Sequence, residues 1–255
     1  MIAKGLELDQ RLIQGGLVHG SAVPGSTIYL NTRAIRVAPD GKFVFGFGRD
    51  APKRAKLYIR YPSGMEETRY LEIESRTYET QRINGLLNHM VTPSEAALRR
   101  IRQENSWIAE VRRLDTERQY YRSGFVWPVI GTITGVYGSL RVLNGEPRRP
   151  HFGIDIAARQ GTPVHSPADG VVALAVNDLY FTGGTIMIDH GFGVTSVLSH
   201  LASLGVSVGE TVGKGQEVGT VGSTGRVTGP HLDWRVNWFE VRLDPALLVP
   251  HMPPD

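Results

Sequence analysis

Apolar and polar positions alternate in short runs over the first third of the chain. Residues 12–20 form one run, interrupted by the pair Gly15-Gly16, and residues 26–30 form a second after the turn signal Val23-Pro24-Gly25. Ala38-Pro39-Asp40-Gly41-Lys42 is a stronger turn signal, because proline presets its φ and glycine tolerates a left-handed one. Residues 42–47, 56–61 and 67–73 then alternate again. A period of two sends successive side chains to opposite faces of a strand. Strands this short, at this spacing, predict a small β-sandwich-like accessory domain over residues 1–90. This part carries no cluster of histidines and carboxylates, and His19 reads as an ordinary strand residue.

The period then changes. Thr92-Pro93-Ser94-Glu95 has the form of a capping box with proline at the first helical position, and Leu98, Ile101, Ile108 and Val111 recur at helical spacing. The expectation is a helical connector over residues 91–122. Arg99, Arg100, Arg102, Arg112 and Arg113 make it basic, but Glu104, Glu110, Asp115 and Glu117 interleave. That pattern reads as a solvated face with intrahelical ion pairs, not as an arm gripping a polyanion, so no nucleic-acid partner is expected. From Phe125 to about Leu248 the chain returns to Val/Ile/Thr runs punctuated by glycine, with no helix signal of useful length. Residues 123–255 therefore read as a further β-rich domain, and the fold class as mostly β.

Composition narrows the chemistry. Thirty glycines in 255 residues favour a turn-rich β protein. Cysteine is absent, so a metal site here must be built from histidine and carboxylate. The formal net charge of +3 suits an anionic partner such as a wall polymer without requiring one. No apolar run approaches the roughly 18 residues that span a bilayer, so no transmembrane segment is expected. Met1-Ile2-Ala3-Lys4 is not followed by an apolar core, so no signal peptide is expected either.

Candidate chemistry lies in three short groups: His151-Phe152-Gly153-Ile154-Asp155, Leu198-Ser199-His200-Leu201, and Gly229-Pro230-His231-Leu232-Asp233-Trp234. In a strand, His231 and Asp233 project from one face and can address one metal or one water. His151 and Asp155 flank a glycine that lets the backbone bring both to a common point. His165, Asp169, Asp189 and His190 sit in turn-like or strand-end contexts and read as structural. Arg141 and Asn144 precede the first group and are candidates for a groove wall. Trp127, Tyr137, Trp234 and Trp238 read as core or groove wall, and His89 and His251 as surface residues.

Together these groups resemble the lysostaphin-type metallopeptidases, whose signature is a histidine, three residues, an aspartate and, much later, His-x-His. The phrases NGEPRRPHFGIDIAARQGTPVHSPADGVV, TIMIDHGFGVTSVLSHL and VGSTGRVTGPHLDW carry the resemblance, which runs from about Trp127 to Leu248. It implies a glycine-rich antiparallel β core with a groove, the duplicated hybrid motif. It also implies a peptidase acting on peptide cross-links or stem peptides of bacterial peptidoglycan, in the periplasm or outside the cell. By position it implies His151, Asp155 and Asp233 as ligands of one Zn2+, and His200 and His231 as catalytic histidines outside the ligand set. The last ligand departs from the pattern, with Asp233 standing where the family has histidine. Carboxylate oxygen is an accepted zinc ligand, but a second carboxylate makes the site harder and more tolerant of Mn2+. Restoring the usual ligand with Asp233→His should then leave zinc bound at least as tightly. The alternative is a catalytically inactive member of the same fold that binds the wall or activates another hydrolase; a glycan-binding module using its aromatic residues is the other.

Overall fold

The computed structural model describes residues 5–9, 11–83, 94–143, 145–147 and 149–253. His89, Thr92, Pro93 and Asn144 lie outside them. The chain divides into two compact units: Met1–Thr77 with Val241–Leu243, and Tyr78–Glu240 with Asp244–Asp255.

The first unit is built from the alternating runs. Strands Glu7–Leu8, Leu17–Ser21 and Lys42–Gly46 form one sheet, and Arg33–Ile35, Thr27–Leu30, Arg54–Arg60 and Glu66–Glu72 form another, with antiparallel pairing in both. Along Arg54–Arg60 the inward positions Ala55, Leu57 and Ile59 are buried while Arg54, Lys56 and Arg60 are exposed. Val18, Ile28, Phe43 and Phe45 complete this core. Full burial of such side chains contributes about 1.5–3 kcal/mol each.

The second unit holds one large antiparallel sheet, a helix, and a small sheet in which Leu140–Leu143 pairs parallel to Thr80–Ile83 and antiparallel to Glu146–Pro147. In spatial order the large sheet runs Thr211–Val212, Gly170–Leu179, Gly183–Gly191, Val194–Leu204, His231–Trp238, Ile154–Ala157 and Thr132–Gly135. Strand Val194–Leu204 serves two partners. Its first part, Val194 to Ser199, pairs with His231–Trp238, and Leu201 to Leu204 pairs with Glu217–Val221. The change of partner falls at His200, whose φ of 68° is a left-handed value uncommon outside glycine.

Helix Glu95–Arg112 is capped by Ser94, whose side chain accepts from the Ala97 amide. The helix lies on the sheet: Val111 clusters with Met187 and Val197, and Ile108, Leu114, Ala173 and Leu174 pack around them. Glu104, one of the charges that interleave the arginines, is buried. It accepts from Arg100 Nε at 2.6 Å and from the Tyr180 amide at 2.8 Å, tying the helix to the end of strand Gly170–Leu179. This docking explains why the central strands Gly183–Gly191 and Val194–Ser199 are buried throughout and show no simple alternation. The opposite face carries a core of Ile154, Ile156, Leu198, Leu232 and Trp234, with Trp127 edge-on to Trp234. No helix among the described residues is long and apolar enough to cross a membrane.

Candidate metal centre

Register brings the three groups together. In the antiparallel pair of Ile154–Ala157 with His231–Trp238, Asp155 lies opposite Asp233. On the other side of the same strand, Ser199 lies opposite Asp233 and Val197 opposite Arg235. Residues directly opposite share a face, so Asp155, Asp233, Ser199 and Arg235 occupy the face on which the helix packs at Val197. His231 and Asp233 project together, as their spacing requires. His151 precedes the strand of Asp155. Its amide donates to the Ser139 carbonyl at 2.9 Å, and its own carbonyl accepts from Gly138 at 2.7 Å, which fixes the backbone.

His151, Asp155 and Asp233 each present a donor atom, and these atoms lie within 4.8 Å of one another. His151 Nε2 is 3.2 Å from Asp155 Oδ1, and His231 Nε2 is 3.9 Å from the same oxygen. His151 is 2% exposed, and its Nε2 has no hydrogen-bond partner. A buried ring nitrogen that lies against a carboxylate oxygen yet makes no hydrogen bond is costly unless something binds it. Two buried carboxylates directly opposite each other likewise need positive charge between them. One nitrogen and two carboxylates are an accepted donor set for a catalytic metal, so these residues fit a divalent ion.

The glycine between His151 and Asp155 matters for space more than for turning. The φ of Gly153 is not positive, but a Cβ there would come within 2.6 Å of Asp233 Oδ1 and 2.6 Å of Arg235 Cγ. Gly135, on the neighbouring strand, is under the same constraint: its Cβ would sit 2.3 Å from Asp155 Oδ2.

His200 and His231 stand beside the cluster with ring centroids 4.8 Å apart. His200 Nδ1 lies 2.9 Å from the Thr224 carbonyl, and His231 Nδ1 lies 2.9 Å from the Gly229 carbonyl. A carbonyl can only accept, so each Nδ1 carries the proton and each neutral ring keeps Nε2 as its acceptor. Burial pushes the His200 pKa down, with the nearby Asp233 opposing and His231 reinforcing the shift. Burial would push the Asp233 carboxyl up, but the Arg235 guanidinium, with His151 and His200, holds it well below the usual carboxylate range.

Arg235 and Ser199 were not among the sequence candidates. Arg235 Nε donates to Asp233 Oδ1 at 2.9 Å and Oδ2 at 3.1 Å, and its Nη2 also donates to Oδ2. The i, i+2 spacing that put His231 with Asp233 also pointed to Arg235. Ser199 Oγ is buried without a hydrogen-bond partner, and only the strand register places it opposite Asp233. The remaining candidates have structural contacts. Asp169 Oδ1 accepts from the Lys214 amide, Asp189 accepts from Thr116 and the Gly191 amide, and buried His190 bridges the Asp169 carbonyl and Ser196. Tyr137, Trp234 and Trp238 are buried, and Trp127 Nε1 donates to the Pro250 carbonyl at 2.9 Å.

Comparison with known proteins shows what the chain is similar to. Residues 149–245 match the model of peptidase family M23. The cell division protein DipM of Caulobacter vibrioides is 34% identical over 152 residues, covering 56% of this chain and 24% of that protein. The peptidoglycan DD-endopeptidase ShyA of Vibrio cholerae is 40% identical over 102 residues, covering 36% and 24%. The DD-carboxypeptidase/endopeptidase Mpg of Neisseria meningitidis is 45% identical over 91 residues, covering 35% and 21%. The matches thus span about a quarter of the length of these relatives. Among solved structures, one described as a putative peptidase M23 from Pseudomonas aeruginosa superposes with a TM-score of 0.73 at 27% identity, covering 94% of this chain and 95% of that one.

Proposed function

Because residues 149–245 belong to peptidase family M23, we propose that this chain is a zinc-dependent endopeptidase cleaving stem peptides or cross-links of bacterial peptidoglycan, in the periplasm or outside the cell. The observation that carries the reading is the convergence of His151, Asp155 and Asp233 donor atoms within 4.8 Å, with His200 and His231 alongside. The names of ShyA and Mpg support the substrate class.

His151, Asp155 and Asp233 would hold the ion. When bound, a divalent ion polarises the scissile carbonyl and acidifies the attacking water. The protein's own share is proton transfer and orientation. His200 and His231, each with Nδ1 tied to a carbonyl, present an unprotonated Nε2 that takes a proton as general base. Once protonated, the same nitrogen becomes a donor for the oxyanion of the tetrahedral intermediate. Burial of His200 favours its neutral form, which is the form a base requires.

One observation favours the second reading, a catalytically inactive member that binds the wall or activates another hydrolase: Arg235 already engages the Asp233 carboxylate. Metal analysis of the purified chain, with release of soluble fragments from peptidoglycan sacculi, separates the two. One zinc per chain and chelator-sensitive hydrolysis are expected. Zinc-free protein that still binds sacculi would favour the inactive reading.

A further inference from the structure

Read from sequence, Asp233 is a single replacement for a histidine. In the structure it is half of a pair. Asp233 is 2% exposed, and the Arg235 side chain that grips it is 27% exposed. Gly153 leaves the room in which both side chains sit.

We propose that Asp233 and Arg235 act as one unit in which Arg235 is a built-in counter-charge: it orients the Asp233 carboxylate and restrains the affinity of the site for its divalent cation. This rests on the metal-site reading above. The argument is one of charge. Asp155 and Asp233 contribute two negative charges, Arg235 one positive and neutral His151 none, which leaves one net negative charge. A site with histidine at position 233 and a neutral residue at 235 has the same net charge. The pair is therefore the electrostatic equivalent of one imidazole, while either half alone is not.

Two consequences distinguish this from a passive ion pair. Removing the guanidinium leaves a dication facing two carboxylates with no competing cation. Charge attraction at a few ångströms in a partly buried site outweighs the loss of orientation by a hydrogen bond, so Arg235→Gln binds zinc more tightly than wild type. Conversely, Asp233→His strands the guanidinium beside the metal without its carboxylate. That variant binds zinc more weakly, which reverses the expectation drawn from sequence, and adding Arg235→Gln restores binding.

The test is zinc affinity of the full chain by competition with a chromophoric chelator near neutral pH, for wild type, Arg235→Gln, Arg235→Lys, Asp233→His and Asp233→His/Arg235→Gln. Circular dichroism checks folding. Expected are at least about tenfold tighter binding for Arg235→Gln and near-wild-type binding for Arg235→Lys, which keeps the charge. Binding about tenfold weaker or worse is expected for Asp233→His, with recovery to within about fivefold of wild type in the double variant. If Arg235→Gln does not fold, the last two variants still read the coupling. Zinc bound by Asp233→His as tightly as by wild type, or weakened by Arg235→Gln, would overturn the proposal. A wild type that binds no zinc would instead overturn the metal-site reading on which it rests.

Discussion

His200 and His231 are tethered in the same way, through Nδ1 to a backbone carbonyl, and neither belongs to the cluster of donor atoms. His200→Ala and His231→Ala should therefore each retain zinc, measured by metal analysis, and lower peptidoglycan hydrolysis by about a hundredfold or more. Loss of the metal in either variant would move that histidine into the ligand set. His190 makes a different prediction. It is fully buried between the Asp169 carbonyl and Ser196, and burial pushes its pKa down to about 4. Its unfolded value is near 6.5. Between these two values the unfolded chain takes up a proton that the folded chain refuses, so stability falls as pH falls through that window and this group adds no further loss below it. The full effect is about 3 kcal/mol. Urea midpoints compared near pH 7 and near pH 4.5 should show the decline, and an unchanged midpoint would mean the imidazole is not held neutral. The candidate ligands were readable because their spacing forms a motif. The role of Ser199 was not, because it depends on which residue lies opposite across the neighbouring strand, whereas Arg235 lay within reach of the same i, i+2 rule that paired His231 with Asp233.

At the scale of elements, runs such as Arg54–Arg60 and Glu66–Glu72 were legible because those strands bury one face, whereas Lys42–Gly46 is buried at four successive positions. The central strands of the second unit were harder to read, since the helix covers them and erases the alternation. The helix itself was visible from Leu98, Ile101, Ile108 and Val111, but its acidic residues were all read as solvated. Glu104 is not: it is buried, and it joins Arg100 to the Tyr180 amide. A single carboxylate among many has no sequence mark that tells a buried anchor from a surface pair. Glu104→Ala leaves that amide without its acceptor and should cost about 1–3 kcal/mol in urea unfolding. Zinc affinity should not change, because Glu104 contributes no donor to the cluster. A stability within experimental error of wild type would return Glu104 to the solvated class. The bend at His200 is the other element-scale feature that pattern reading missed. A left-handed residue inside a strand cannot be inferred from alternation, yet it lies where strand Val194–Leu204 changes partners and puts this histidine beside His231.

For the molecule as a whole, the sequence motifs begin near Trp127, but the unit that holds them begins at Tyr78. The difference is strand Thr80–Ile83, which pairs with Leu140–Leu143, together with the helix and the segment after it. Ile101 and Val111 are buried, and the helix with Ile108 covers Met187, Val197, Ala173 and Leu174. The following segment latches onto the strand end at Asp189: Thr116 donates to the Asp189 carboxylate at 2.6 Å, and its carbonyl accepts from the Phe192 amide at 3.0 Å. A fragment cut at Phe125 loses all of this. Removing about three buried aliphatic side chains at about 1.5–3 kcal/mol each forfeits roughly 5 kcal/mol or more. That is comparable with the whole stability of an ordinary domain, about 5–15 kcal/mol. It also bares an apolar patch on the face that carries the candidate ligands. A fragment of residues 78–255 should therefore fold and bind zinc within about threefold of the full chain, since all three candidate ligands and both companion histidines lie inside it. A fragment of residues 125–255, although it contains every motif, should melt at a clearly lower temperature or aggregate. Thermal melts and chelator competition on both fragments decide the matter. Equal melting temperatures would show that the helix is a connector lying on the sheet without stabilising it, and failure of the 78–255 fragment to bind zinc, where the full chain binds it, would show that residues 1–77 are needed for the site.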